Sequence, residues 1–287
     1  MAALSAAQIE RFHEDGVLLV EDAISADLLA RLRGDFAHWV EESRGHDEAY
    51  GETVDGRARF DLEPGHSAEQ PALRRVNAPL EVSEAVYEAV TDSAMVDWAA
   101  DLIGPDLRFH HSKINSKLPG SATAVKWHQD FPFTPHSNTD LVTTLLMIDE
   151  VTEENGPLRV VPGTHKGPLH SLWHDGSFTG AVSTELERDF EAQAVSCTGP
   201  AGAVCFMHTC LAHGSAPNRS TAPRTLLISV YAAADAAACS PNPVPSRYDG
   251  MIVRGREPNR IRCSTYEIET PAFPKSASFF HQQAGAD

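Results

Sequence analysis

Residues 107–128 read LRFHHSKINSKLPGSATAVKWH and contain the pattern that decides the fold. Two β-rich runs lie on either side of the turn Pro119-Gly120. Short runs of the same kind, separated by Gly and Pro turns, continue to residue 232. Such a succession predicts a mostly β protein with flanking helices and a jelly-roll or sandwich core. The predicted strands cover residues 107–118, 123–127, 141–148, 158–161, 192–197, 203–208, 211–215 and 224–232.

The segments around this β-rich region differ from it in character. Ser5 and Ser25 precede runs with helical periodicity, and residues 81–103 form a third such run. Residues 44–80 are polar and rich in turn residues, which predicts a long loop. We therefore expect a single domain over residues 1–287. Its predicted parts are helices in 1–105, a jelly-roll core in 106–235 and a C-terminal cover in 236–287.

The composition disfavours several classes of protein. The chain has 23 Lys and Arg residues against 40 Asp and Glu residues, a formal net charge of -17. This balance argues against nucleic acid or an anionic membrane as the main partner, because both bind basic surfaces. No apolar run is long enough to cross a bilayer, and the start lacks the pattern of a secretory signal. Five cysteines without CxxC spacing predict reduced thiols in a cytoplasmic protein.

The segment WHQD at residues 127–130 carries the strongest chemical signal. In an extended strand, His128 and Asp130 point to the same face and could bind one metal ion. A histidine from a later strand would complete a face of two imidazoles and one carboxylate, which suits non-heme Fe(II). His208 and His213 are the candidates for this third ligand.

Two further observations bear on this motif. The run His13-Glu14-Asp15 also reads H-x-D, but it lies near a helix end, where residues i and i+2 do not share a face. Arg224 follows His213 in the chain and opens an apolar strand, where its guanidinium could bind a carboxylate in a bidentate manner. Ser215 could add a hydroxyl hydrogen bond beside it.

Several stretches in this order carry a family resemblance. They are SKIN at 112–115, PG at 119–120, WHQD at 127–130, IDEVTEENGPL at 148–158, VPGTH at 161–165, HGSAPN at 213–218 and PR at 223–224. Together they resemble the phytanoyl-CoA dioxygenase (PhyH) family of Fe(II)- and 2-oxoglutarate-dependent oxygenases, with a layout similar to that of ectoine hydroxylase. The opening FHEDGVLLV at 12–20 is also similar to that family.

The resemblance implies a fold, a cofactor set and a group of site residues. The fold is a double-stranded β-helix of the cupin type, and the co-substrates are 2-oxoglutarate and O₂. The implied Fe(II) ligands are His128, Asp130 and His213. The resemblance implies that Arg224 and Ser215 bind the distal carboxylate of 2-oxoglutarate. The full set of implied co-substrate residues is Arg224, Ser215, Asn115, Thr143 and His111.

The expected reaction is hydroxylation of an sp³ C–H bond in a small metabolite or natural product, with release of succinate and CO₂. Aromatic residues in loops are the candidates for substrate contacts. A group of arginines near the C-terminus could bind an anionic group of the substrate. A homodimer is left open. The aromatic candidates are Phe131, Phe133, His136 and Trp173, and the arginines are Arg247, Arg254, Arg256, Arg260 and Arg262.

Three other hypotheses remain open from the sequence. The first is an acyl-CoA hydroxylase of the same family, although no basic cluster obviously suits the CoA phosphates. The second is a non-catalytic barrel with a vestigial site, which the intact triad disfavours. The third is a cupin-type metal-binding barrel that uses no keto acid. Arg224 argues against this third hypothesis, because an enzyme that uses no keto acid needs no group to bind a distal carboxylate.

Overall fold

The computed structural model describes residues 3–120, 123–272 and 283. Short 3₁₀ helices lie at Pro79–Glu81, Phe131–Phe133 and Thr164–Lys166. The α-helices and strands are, in chain order, α1 (Ala6–Asp15), β1 (Val17–Val20), α2 (Ala26–Ser43), β2 (Phe60–Leu62), β3 (Leu73–Asn77), α3 (Glu84–Thr91), α4 (Ala94–Ile103), β4 (Leu107–Lys117), β5 (Val125–His128), β6 (Leu141–Met147), β7 (Leu158–Val160), β8 (Trp173–His174), β9 (Ser177–Phe178), α5 (Thr184–Gln193), β10 (Val195–Cys197), β11 (Val204–His208), β12 (His213–Ser215), β13 (Arg224–Ala233) and β14 (Ile252–Arg254).

Two antiparallel sheets form the core. The larger sheet has the order β1-β11-β6-β13-β4-β3-β2, with β14 also paired to β4, and the smaller sheet has the order β10-β7-β12-β5. Leu145 and Ile228 of the larger sheet pack in one apolar cluster with Leu158 and Val160 of the smaller sheet. This cluster therefore lies between the sheets, and the expected mostly β architecture with flanking helices is confirmed.

The helices cover the outer face of the larger sheet. Val142 and Leu227 point to this face and share a second apolar cluster with Phe12 of α1 and Trp98 of α4. Side chains alternate along each strand, so the neighbouring residues Thr143 and Leu226 point inward between the sheets. None of the helices in the described residues is long and apolar enough to cross a membrane.

The expectation of a long loop over residues 44–80 is wrong, because β2 and β3 lie in this segment and extend the larger sheet beside β4. The strands are hidden in the sequence by buried ion pairs. Arg74 Nε lies 2.7 Å from Asp61 Oδ2, and Arg59 Nη2 lies 2.6 Å from Glu81 Oε2. Buried charges within and beside these short strands remove the apolar alternation that predicts a strand.

The C-terminal segment packs on the same sheet. β14 pairs with β4, and Asn242 Nδ2 donates a hydrogen bond to the carbonyl oxygen of His110 at 2.8 Å. Residues 273–282 and 284–287 of the expected cover lie outside the described residues. The organisation as a single domain stays a prediction.

The Arg59–Glu81 pair should matter for stability. Both side chains are 7% exposed, so Glu81→Ala removes the carboxylate beside a buried guanidinium and should lower the free energy of unfolding by about 3 kcal/mol. Asp27→Ala is the matched control, since Asp27 is 84% exposed and its pair with Arg31 at the surface should contribute little to stability. Urea denaturation measures both, and equal effects of the two variants would contradict the assignment.

Candidate active site

The candidate metal ligands meet at one point between the sheets. His128 ends β5, and His213 begins β12 directly opposite it in the antiparallel register. Asp130 Oδ1 lies 3.5 Å from His128 Nε2 and 3.6 Å from His213 Nε2. One ligand atom from each residue lies within 4.8 Å of the other two. Two atoms that each lie about 2.1 Å from a metal ion, at right angles to each other, are about 3 Å apart. The distances from Asp130 to the two imidazoles are slightly longer, so a small contraction of the site would accommodate a metal ion.

His208, the other candidate for the third ligand, lies elsewhere. Its ring centroid is 5.1 Å from that of His165 and 6.4 Å from that of Phe12. The backbone N–H of Cys210 donates to its Nδ1 at 3.1 Å. His208 therefore packs beneath the N-terminal helix. Of the two candidates, His213 is the one that lies beside His128 and Asp130.

Backbone carbonyls fix the orientation of both imidazoles. Nδ1 of His128 lies 2.8 Å from the carbonyl oxygen of Lys126, and Nδ1 of His213 lies 2.9 Å from that of Leu211. A carbonyl oxygen only accepts, so each Nδ1 carries the proton and each Nε2 presents a lone pair. This second hydrogen bond is the usual way in which proteins set the tautomer of a metal-binding histidine.

Asp130 lies in a turn and not in the extended strand expected from the sequence. β5 ends at His128, and Asp130 has helical dihedral angles at the start of the 3₁₀ helix Phe131–Phe133. Its position therefore comes from the turn after the strand, not from strand alternation. Thr143 Oγ1 on β6 donates to Asp130 Oδ2 at 2.8 Å, which leaves Oδ1 facing the two imidazoles.

The protonation states of these residues also suit a cation. Burial, together with the neighbouring His128, lowers the pKa of His213 to about 4, so this imidazole is neutral near pH 7. Burial alone would raise the pKa of Asp130, but His213, His128 and Lys113 hold it below its usual range. Two imidazoles and one carboxylate form a ligand set typical of non-heme Fe(II).

A cavity of about 130 Å³ opens beside these three residues. Its inner wall follows the register of β4 and β13, in which Arg224 pairs with Lys117, Leu226 with Asn115 and Val230 with His111. The cavity lining includes every residue that the sequence predicts for co-substrate binding, namely Arg224, Ser215, Asn115, Thr143 and His111.

Arg224 lies at one end of this cavity and is 4% exposed. Its Nε and Nη2 donate to the carbonyl oxygen of Gly156 at 3.1 and 2.7 Å, and Nη1 donates no hydrogen bond to the described residues. Lys117 Nζ donates to Ser215 Oγ at 2.7 Å and to the carbonyl oxygen of Ala216. Burial, with Arg224 beside it, lowers the pKa of Lys117 to about 6. The guanidinium of Arg224, the amine of Lys117 and the hydroxyl of Ser215 at this end can all donate hydrogen bonds and make a site for a carboxylate.

Two other co-substrate candidates have distinct surroundings. The Oδ1 atom of Asn115 is buried and has no hydrogen-bond partner among the described residues, as expected for an atom that a ligand would contact. His111 Nδ1 lies 2.7 Å from His110 Nδ1, and burial holds the pKa of His111 well below its usual value. The register of β4 and β13 shifts between Val230 and Tyr231, beside these histidines, and both histidine side chains are buried.

The structure separates the aromatic residues expected to contact substrate. Phe133 lines the cavity and packs edge-on against His128, with ring centroids 5.6 Å apart. Phe131 is fully buried in a different apolar cluster, because the 3₁₀ turn directs it away from the cavity. His136 lies beside His110 at a neighbouring pocket. Trp173 packs on Phe178 and donates from Nε1 to the carbonyl oxygen of Thr270.

The anion-binding candidates in the C-terminal segment also lie away from this cavity. Arg254 pairs with Asp97, and Arg262 pairs with Asp140 and Asp235. None of the five arginines from Arg247 to Arg262 lines the cavity. The cations that do line it, besides Arg224 and Lys117, are Arg57, Arg75 and Lys113. Arg57 and Arg75 were not expected in the site, because both lie in the segment predicted to be a loop.

Comparison with known proteins identifies the family of the chain. The sequence model described as Phytanoyl-CoA dioxygenase (PhyH) matches residues 12–226. The chain belongs to this family. A probable alpha-ketoglutarate-dependent hypophosphite dioxygenase of Stutzerimonas stutzeri is 33% identical over 255 residues, covering 88% of this chain and 86% of the relative. An L-proline trans-4-hydroxylase of Streptomyces griseoviridis is 30% identical over 190 residues, covering 59% and 69%.

Solved structures support the fold. EctD from S. alaskensis with bound Fe has a TM-score of 0.66 and 24% sequence identity, covering 91% of this chain and 87% of that chain. The expected double-stranded β-helix core is confirmed. The expected enzyme class, an Fe(II)- and 2-oxoglutarate-dependent dioxygenase, is confirmed by the family and the relatives.

Proposed function

We propose that this protein hydroxylates an sp³ C–H bond of a small molecule and releases succinate and CO₂ from 2-oxoglutarate and O₂. The observation that carries the proposal is the single cavity that contains His128, Asp130, His213 and Arg224 together. A vestigial barrel has no need to keep all four groups buried around one space. A cupin-type enzyme without a keto acid has no need for a buried arginine at the far end.

His128, Asp130 and His213 would hold the iron through Nε2, Oδ1 and Nε2. Bound Fe(II) and 2-oxoglutarate activate O₂ and supply one oxygen atom to the substrate and one to succinate. The chain itself orients the ligands. Thr143 donates a hydrogen bond to Oδ2 of Asp130, and the carbonyl oxygens of Lys126 and Leu211 accept hydrogen bonds from the two imidazoles.

The other residues of the cavity would place the co-substrate and exclude water. Arg224, Lys117 and Ser215 would bind the distal carboxylate, and Asn115 would contact the end nearer the metal. Apolar side chains between these polar groups, including Leu145 and Ile228, keep the space dry. A dry cavity strengthens each charge interaction within it.

The size of the cavity favours a small substrate over an acyl-CoA. Pockets for drug-sized ligands have volumes of about 300–1,000 Å³, and this cavity of about 130 Å³ must also accommodate 2-oxoglutarate. A second candidate reaction is hydroxylation of a P–H bond. The hypophosphite dioxygenase relative, 33% identical to this chain, favours it.

Asp130→Ala should greatly weaken Fe(II) binding, because it removes the only carboxylate of the three ligands. Asp15→Ala is the matched control, since Asp15 belongs to the other H-x-D sequence and pairs with Arg11 at the surface. Anaerobic Fe(II) titration measures the binding, and 2-oxoglutarate-dependent succinate release measures turnover. Retention of tight iron binding in Asp130→Ala would refute the ligand assignment.

Arg224→Ala should raise the KM for 2-oxoglutarate by about 10- to 100-fold, because it removes charge-assisted hydrogen bonds to a buried carboxylate. Fe(II) affinity should stay within about twofold, since the guanidinium does not contact the three metal ligands. Preference for 2-oxoglutarate over pyruvate, which lacks the distal carboxylate, should fall in parallel. Arg188→Ala on the exposed face of α5 is the control, and an unchanged preference in Arg224→Ala would contradict the role.

The affinity for 2-oxoglutarate should fall as the pH rises from 6.5 to 8.5. Lys117, with a pKa lowered to about 6, is neutral in this range before binding. A carboxylate beside it favours the charged form, so binding takes up a proton, and the affinity falls by up to about tenfold per pH unit. Anaerobic titration of the Fe(II)-loaded protein at several pH values measures this slope.

Lys117→Met should remove the slope, and Lys166→Met at the exposed 3₁₀ helix Thr164–Lys166 should keep it. An affinity that does not change with pH in the wild-type protein would show that Lys117 does not contact the co-substrate.

A further inference from the structure

We infer that Arg75 and Lys113 form a second anion-binding subsite in this cavity, which binds the charged group of the primary substrate. The substrate class is therefore a small oxyanion, such as a phosphinate or a short carboxylate. This inference rests on the proposed function, because it assigns the substrate of the same cavity. The end occupied by Arg224 and Lys117 is left to 2-oxoglutarate.

The register of β3 and β4 places these two cations together. Arg75 pairs with Asn115, and Asn77 pairs with Lys113, so the four side chains share the inward face of the larger sheet. Arg75 and Lys113 are diagonal neighbours across the strand pair, which brings their side chains within reach of one ligand. Both residues line the cavity that contains the metal ligands.

The hydrogen bonds of these cations leave their charges available. Arg75 is 5% exposed, and its Nε donates to Asn77 Oδ1 at 2.7 Å. This bond orients the guanidinium, and its two terminal nitrogens make no hydrogen bond with the described residues. Lys113 makes no hydrogen bond or ion pair with the described residues, although it lies in the cavity wall.

No carboxylate among the described residues forms a salt bridge with either cation. Burial lowers the pKa of both, and Asp130 and Asp61 only partly oppose this effect for Lys113 and Arg75 respectively. Asp130 is the only acidic residue in the described lining, and its oxygens face Thr143 and the two imidazoles. The acid closest to Arg75 in its strand pair is Asp61, which lies 2.7 Å from Arg74. Burial of cations without a partner costs free energy, so their retention in a cavity points to an anionic ligand.

The distance along β4 separates this subsite from the co-substrate end. Lys113 and Lys117 are four residues apart on one strand, which corresponds to about 13 Å. The candidate ligand Asp130 lies near the Lys113 end, since Thr143, which donates to it, pairs with Val230, and Val230 pairs with His111. A guanidinium and an ammonium together suit a compact oxyanion, since the guanidinium fork binds two oxygens and the ammonium binds a third position. Val244 and Pro243 close this end and limit the size of the ligand.

The test is anaerobic calorimetric titration of the Fe(II)- and 2-oxoglutarate-loaded protein with three probes: hypophosphite, propionate and propionamide. Propionamide matches propionate in shape and lacks its charge. At least one anion should bind, and propionamide should bind at least about tenfold more weakly than propionate if propionate is the anion that binds. Tighter binding of hypophosphite than of propionate would identify a phosphorus oxyanion, and the reverse would identify a carboxylate.

Lys113→Met and Arg75→Gln should each weaken binding of that anion by at least about tenfold and leave the 2-oxoglutarate affinity within about threefold. Lys113→Arg should restore anion binding, and Lys166→Met is the surface control. Retained 2-oxoglutarate binding shows that each variant is folded.

Two results would overturn the inference. One is a loss of 2-oxoglutarate affinity as large as the loss of anion affinity, which would assign Arg75 and Lys113 to the co-substrate. The other is the absence of anion binding to the wild-type protein, or anion binding that neither variant changes. Failure of the proposed function is a separate result, because it would appear as absent 2-oxoglutarate binding or turnover in the wild-type protein.

Discussion

The register of β12 on β5 is the constraint on which the site depends. It places His213 directly opposite His128, so two imidazoles from distant parts of the chain reach one point. A slip of one residue would turn one of them to the other face of the sheet. β12 is also paired with β7 on its other edge, where His213 lies opposite Val160. Hydrogen bonds on both edges therefore hold the register that the metal centre requires.

Backbone carbonyls then orient the polar groups before any ligand binds. The imidazoles donate to the carbonyl oxygens of Lys126 and Leu211, and Arg224 donates to that of Gly156. Gly156 has a φ of 80°, and a Cβ atom there would lie 2.6 Å from the carbonyl oxygen of Ala216. Only glycine allows this loop to bring its carbonyl to Arg224. Such fixed groups need little rearrangement when a charged ligand arrives.

Strand alternation predicts part of this site from the sequence. His111 and Asn115 are four residues apart on β4 and therefore share a face, and both line the cavity, as does Arg224 at the start of β13. Alternation fails where the backbone leaves the strand. Asp130 lies in a 3₁₀ turn, and the same turn sends Phe131 into a different apolar cluster from the cavity.

Buried charges are the second limit on sequence analysis. Arg75 lies in a segment that reads as a polar loop, because the partners of its charged neighbours are distant in the chain and leave no periodic pattern. The arginines near the C-terminus form a more visible cluster, but the structure pairs Arg254 and Arg262 with carboxylates outside the cavity. Clustering in sequence therefore does not identify the cations that face a ligand.

The distribution of charge connects the fold with the proposed chemistry. The chain has a net charge of -17, yet its central cavity contains five Arg and Lys side chains and one carboxylate in the described lining. Salt screens interactions between exposed charges beyond about 10 Å, so the acidic surface has little effect on an anion inside the cavity. β4 carries Lys113 and Lys117 on one face, with Asn115 between them. In the proposed arrangement, the two ends of this strand bind the co-substrate and the substrate anion in the same cavity as the three candidate metal ligands.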